Sequence, residues 1–151
     1  MESFAEEALR LAIHTEKSSH DFYRYAAGRA KNEAVREIFA QLASEEAEHM
    51  AAFLARYEGD DILQLQDTGE APGCPDPRRY GELVGAIDSI FDEAQALRLA
   101  LGEEQACIDS YTVLVETLRE PELRAIFEQA LDDTRRHYEQ LRQQYLRFAE
   151  P

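Results

Sequence analysis

Glu46-Ala47-Glu48-His49 sets a carboxylate and an imidazole three residues apart, which on a helix is one turn and one face. Drawn in helical phase, Glu16, Glu104 and His137 fall on comparable stripes. The stripes read Leu9, Ile13, Glu16, His20, Tyr23, Ala27; then Val35, Phe39, Leu42, Glu46, His49, Phe53; then Leu97, Leu101, Glu104, Ile108, Tyr111, Val115; and last Leu123, Phe127, Ala130, Thr134, His137, Leu141. Apolar spacing of three and four marks the buried face of a helix. Each stripe is interrupted at mid-length by a polar group, so these groups are predicted to lie in the core. A buried carboxylate must be paired, protonated or bound to a metal. No Lys or Arg occupies the central seam positions. Carboxylate oxygens with imidazole suit iron or manganese, and also accept zinc.

The elements that must carry these side chains are helices. Ala, Leu, Glu, Arg and Gln, good helix formers, dominate outside one central stretch, and no run alternates like a strand. Residues 2–58 contain no proline and only Gly28, whereas Gly69-Glu70-Ala71-Pro72-Gly73-Cys74-Pro75-Asp76-Pro77 cannot be helix. The expected helices cover about 2–29, 32–58, 82–119 (in one or two pieces) and 121–148, with Gly28 and Gly59 as the first two stops and Pro121 opening the last. The inner connections are short, which predicts two antiparallel hairpins, about 2–58 and 82–148, within a single domain spanning 1–151. The middle connection is long enough to cross the bundle.

An internal repeat supports this plan. Shifted by 88 residues, 100–145 falls on 12–57 without a gap, with ten identities in 46 positions. Among the pairs are Glu16/Glu104, Tyr23/Tyr111, Phe39/Phe127 and His49/His137. Two similar hairpins should therefore face each other, equivalent residue against equivalent residue. Tyr23 and Tyr111 are candidate hydrogen-bond donors to the buried carboxylates. His20 lies on its stripe but pairs with Ile108, which favours a core or rim histidine over a ligand. His14 is off the seam and expected at the surface.

Charge and composition exclude several functions. With 16 Lys+Arg against 31 Asp+Glu the net charge is −15, which argues against nucleic-acid binding and against docking on an anionic membrane. At 44% hydrophobic residues a real core is expected rather than an acidic disordered tail. No run is long and apolar enough to span a membrane, and the first residues are unlike a signal peptide, so a cytoplasmic location is expected. Cys74 and Cys107 cannot form a disulfide framework or a four-thiolate site. Cys74 reads as a loop thiol without a role. Cys107 reads as a small core residue, with a redox-active thiol as the alternative.

Ala12-Ile13-x-x-Glu16-Lys17-x-Ser19-x-x-Phe22-Tyr23, followed by Phe39-x-x-Leu42-Ala43-x-Glu45-Glu46-x-x-His49, resembles the rubrerythrin-like branch of the ferritin-like superfamily over nearly the whole chain. The resemblance implies an all-α, ferritin-like antiparallel four-helix bundle, a long crossover between helices 2 and 3, and a diiron site at mid-bundle. Carried over position by position, the metal ligands are Glu16, Glu46, His49, Glu104 and His137, with Glu16 and Glu104 terminal and Glu46 bridging. It also implies two iron ions per chain, reaction with dioxygen or peroxide or oxidation of Fe(II), and a homodimer.

The sequence departs from the pattern at three points. The second Glu-x-x-His would begin at Thr134, so one carboxylate is missing; Asp133 and His20 are the candidates to compensate, although Asp133 sits about 100° around the helix. Cys107 stands where peroxidase-type rubrerythrins carry a further glutamate. No Cys-x-x-Cys pair is present, so no rubredoxin domain is expected and electrons would come from a separate partner. Two other functions fit the same residues: iron binding or buffering without turnover, and a scaffold whose metal site has degenerated.

Overall fold

The computed structural model describes residues 3–59 and 92–149. Four helices account for nearly all of them: α1 Ser3–Arg29, α2 Glu33–Arg56, α3 Glu93–Thr117 and α4 Pro121–Ala149. No strand occurs among the described residues, and none of their helices is long and apolar enough to cross a membrane.

The helix boundaries follow from local chemistry. Asn32 caps α2, its side chain accepting from the Val35 amide at 3.1 Å. Asp92 caps α3 in the same way, accepting from Ala94 and Gln95. Pro121 occupies the first position of α4, where its missing N–H is not needed. α1 ends at Arg29, as expected of the sequence, with Gly28 inside its last turn. α2 stops at Arg56 rather than 58, because Tyr57 turns extended and buries its ring in the core. The Tyr57 ring leaves no room for a Cβ at Gly59, which would collide with the phenolic oxygen. α3 begins at Glu93, because Asp92 is extended and serves as its cap. The first part of the expected helix 82–119, the central connection and Cys74 lie outside the described residues.

α1 packs along α2, and α3 along α4. Contacts between the hairpins fix their directions. Arg56 at the end of α2 pairs with Glu120 and Glu122 at the start of α4, while Glu45 meets His137 further along. Glu93 at the start of α3 accepts from the Lys31 and Asn32 amides in the α1–α2 turn. Hence α2 lies antiparallel to α4 and α1 antiparallel to α3. The ends joined by the central connection therefore lie at opposite ends of the bundle.

The core divides into two apolar clusters. One gathers Leu9, Ile13, Phe53, Tyr111, Leu123 and Phe127; the other Phe22, Tyr23, Phe39, Leu42, Leu97 and Leu141. Repeat-related residues lie in opposite clusters, as Leu9 and Leu97, Tyr23 and Tyr111, and Phe39 and Phe127 do. Between them sits the band of polar groups.

Candidate metal centre

The five carboxylate and imidazole groups singled out by seam phase meet at mid-bundle. Glu16, Glu46, Glu104 and His137 are each at most 3% exposed, and His49 is 8% exposed. Two triads form, Glu16/Glu46/His49 and Glu46/Glu104/His137, each with its ligand atoms within 4.8 Å of one another. Glu46 belongs to both. Its Oε1 lies 3.3 Å from His137 Nδ1, and its Oε2 lies 3.9 Å from His49 Nδ1. Glu16 Oε2 approaches His49 Nδ1 at 3.4 Å.

The donor atoms facing inward lack hydrogen-bond partners. Glu16 Oε2, Glu104 Oε2, His49 Nδ1 and His137 Nδ1 are all buried without one. Leaving such groups unmade is costly, and four of them converging suits a cation. By donor chemistry and by these orphaned atoms, the residues fit a pair of metal ions sharing Glu46.

The outward-facing atoms are satisfied. Tyr111 donates to Glu16 Oε1 at 2.7 Å, and Tyr23 donates to Glu104 Oε1 at 2.5 Å. Each tyrosine thus serves the glutamate of the other hairpin, as the repeat requires. Asp133 does not join the cluster: its Oδ2 lies 2.8 Å from His49 Nε2, on the far side of the ring. His20 points elsewhere, with Nδ1 2.7 Å from the Ala43 carbonyl. Thr134 is buried and donates to the Ala130 carbonyl at 2.7 Å. Cys107 is a buried free thiol, and His14 is half-buried.

The Rubrerythrin family profile matches residues 7–145, which takes in most of all four helices. The chain belongs to the rubrerythrin family. A hypothetical protein from Pyrococcus furiosus is similar in structure, with a TM-score of 0.69 and 27% identity, covering 93% of this chain and 87% of its own. No curated protein matches significantly. Together with the helix arrangement, the match makes this an all-α, ferritin-like four-helix bundle.

Burial shapes the electrostatics of this rubrerythrin-family site. It drives Glu46 well above the usual carboxylate range, helped by repulsion from Glu16 and Glu104. Burial also lifts Glu104 to about 8 against the hydrogen bond from Tyr23. Glu16 is lowered, because Glu46 and His49 outweigh its burial. Burial pulls against a charged His49, yet Glu16 and Asp133 raise it to about 9. His137 is lowered by burial. Burial pushes the Cys107 thiol well up. The upward shifts of Glu46, Glu104 and His49 favour their protonated forms, with which a cation would compete.

Two polar residues around the site lie off the seams and are not found by helical phase. Glu45 Oε1 lies 3.2 Å from His137 Nε2, and Arg136 bonds both Glu45 and Asp133. A signal existed in the repeat: a shift of 88 pairs Glu45 with Asp133, acid with acid, one residue before Glu46 and Thr134.

Proposed function

We propose that this bundle is a non-haem di-metal carboxylate protein, with iron as its metal, acting as an oxidoreductase toward dioxygen or peroxide or oxidising Fe(II). The observation that carries the reading is the pair of buried Glu/Glu/His triads meeting on Glu46. Glu16 and His49 would hold one ion, Glu104 and His137 the other, and Glu46 would span both. Bound iron supplies one-electron redox chemistry and Lewis acidity at this position.

The chain's own residues prepare the site for that chemistry. Tyr111 and Tyr23 hold the outer oxygens of Glu16 and Glu104, which turns the inner oxygens toward the centre. Asp133 and Glu45 hold the outer nitrogens of both histidines. The apolar clusters on either side keep bulk water from the carboxylates. Cys107 stays a protonated thiol, because its burial opposes the thiolate. Electrons for turnover would come from a separate donor.

The same donors, with a net charge of −15, also suit capture of Fe(II) without turnover. Anaerobic loading with Fe(II), followed by measurement of iron per chain and oxygen uptake, separates the readings. The expected result is about two iron ions per chain, oxygen consumption on mixing, and loss of both in Glu46→Ala. Iron retained without oxygen consumption would favour capture. A stoichiometry below about half an iron per chain, unchanged in Glu46→Ala, would remove the metal reading altogether.

A further inference from the structure

The two ligand histidines are held from outside by two arms related by the internal repeat. In one arm Gln129 Nε2 donates to Asp133 Oδ1 at 3.2 Å, and Asp133 Oδ2 lies 2.8 Å from His49 Nε2. In the other Gln41 Nε2 donates to Glu45 Oε2 at 2.9 Å, and Glu45 Oε1 lies 3.2 Å from His137 Nε2. Gln41/Gln129, Glu45/Asp133 and His49/His137 are all offset by 88 residues.

The arms meet on a single nitrogen. Arg136 Nη2 lies 2.7 Å from Glu45 Oε1 and 3.1 Å from Asp133 Oδ1. Its repeat partner is Glu48, so this junction has no counterpart on the other side of the pseudo-symmetric pair.

We infer that Arg136 is a positioning residue for both metal positions, acting through Glu45 and Asp133 to fix which nitrogen of each histidine faces the carboxylate cluster. The inference rests on the metal reading of the site. A neutral imidazole has one N–H and one lone pair. An ionised carboxylate can only accept, so Asp133 and Glu45 keep the proton on Nε2 of His49 and His137. That leaves Nδ1 as the ligand atom, and Nδ1 is the atom that faces Glu16 and Glu46. Without the guanidinium, Glu45 and Asp133 would stand side by side as two like charges, each partly open to water. Repulsion would turn them outward, and both histidines would lose the acceptor that sets their tautomer and aim.

Simple charge predicts the opposite sign, which makes the idea testable. Arg136 is a cation beside a cation site, so by Coulomb attraction alone its removal should tighten metal binding. The experiment uses Co(II) alone as probe, with affinities from competition against a chromophoric chelator and visible spectra of the loaded protein. The variants are Arg136→Ala, Arg136→Lys and Arg142→Ala. Arg142 is a suitable control, because it pairs with Glu139 at the surface and its side chain is 47% exposed, as is that of Arg136. Arg136→Ala is expected to weaken Co(II) binding at both positions about tenfold or more and to change the Co(II) ligand-field bands. Arg136→Lys should recover most of the affinity, and Arg142→Ala should match the wild type. In a Glu45→Gln/Asp133→Asn background, Arg136→Ala should have no further effect.

Unchanged or tighter binding in Arg136→Ala would overturn the inference, as would a loss that Arg136→Lys does not restore or that persists in the double-variant background. Failure of the wild type itself to bind Co(II) would instead overturn the metal reading.

Discussion

Glu46 is the residue on which the centre depends, because each of its oxygens faces a different histidine. Its proton, and those of Glu104 and His49, give the metal-free protein an unusual pH response. Glu104 is raised from 4.5 to about 8 and His49 from 6.5 to about 9. Both groups hold their protons more tightly folded than unfolded. Their stabilising effect is therefore complete below the unfolded values and lost as pH rises through 8 and 9. The lowered carboxylates Glu45, Glu16 and Asp133 act only at the acid end, Glu45 at about 2. The melting temperature of chelator-treated protein should thus fall between about pH 6 and pH 9. With metal bound it should not, since the ions have displaced those protons. Thermal melts with and without chelator check both trends; a metal-free melting temperature that rises over that window would contradict a protonated Glu104 and a charged His49. Thr134→Glu belongs to the same scale. It adds a fourth buried carboxylate at the repeat position of Glu46, so it should destabilise the metal-free protein and tighten metal binding about tenfold, read by melts and metal competition.

At this scale, helical phase is enough to single out the five groups that meet at mid-bundle. A glutamate on an apolar stripe has few explanations, and five such groups in register have fewer. Glu45 and Arg136 are invisible to that argument because they lie off the stripes, half-exposed, where acids and bases are ordinary on any helix. Only the second hairpin, folded against the first, brings Arg136 onto both carboxylates. Nearness in sequence makes Asp133 a candidate substitute ligand, but the rotation of one residue aims it at the outer nitrogen of His49 instead.

Among the elements, the hairpin is the repeating unit, and its turns repeat as closely as its ligands. Arg36 donates to the Ala30 and Lys31 carbonyls at the end of the first helix, both at 3.3 Å. Arg124 does the same for Leu118 at 3.1 Å and Arg119 at 3.5 Å. These bonds satisfy carbonyls that a helix end leaves free. Asn32 opens α2 by accepting from Val35, and Asn32→Ala should cost about 1 kcal/mol in urea denaturation. The helices and their order were legible because, among the described residues, proline enters a helix only at its first position, as Pro121 does. Two boundaries were not, for a physical reason. Tyr57 ends α2 early because burying its ring outweighs continuing the helix, and Asp92 opens α3 by capping two amides. Both are decided by contacts rather than by propensity.

For the whole molecule, the charge of −15 divides into two populations. Most of it lies on solvated helix faces, while Glu16, Glu46 and Glu104 belong to the core, where a metal would balance them. A folded bundle that binds metal must be stabilised by it: at a free concentration one hundred times the dissociation constant, each ion adds about 2.7 kcal/mol. Added Fe(II) should therefore raise the melting temperature by several degrees, and chelator should reverse the gain. The central claim, two ions held on either side of Glu46, is tested most directly by anomalous diffraction at the iron edge from crystals of iron-loaded protein. The expected map has two anomalous peaks per chain at mid-bundle, one beside Glu16 and His49 and the other beside Glu104 and His137, with Glu46 between them. A single peak, or none between the helices, would contradict it.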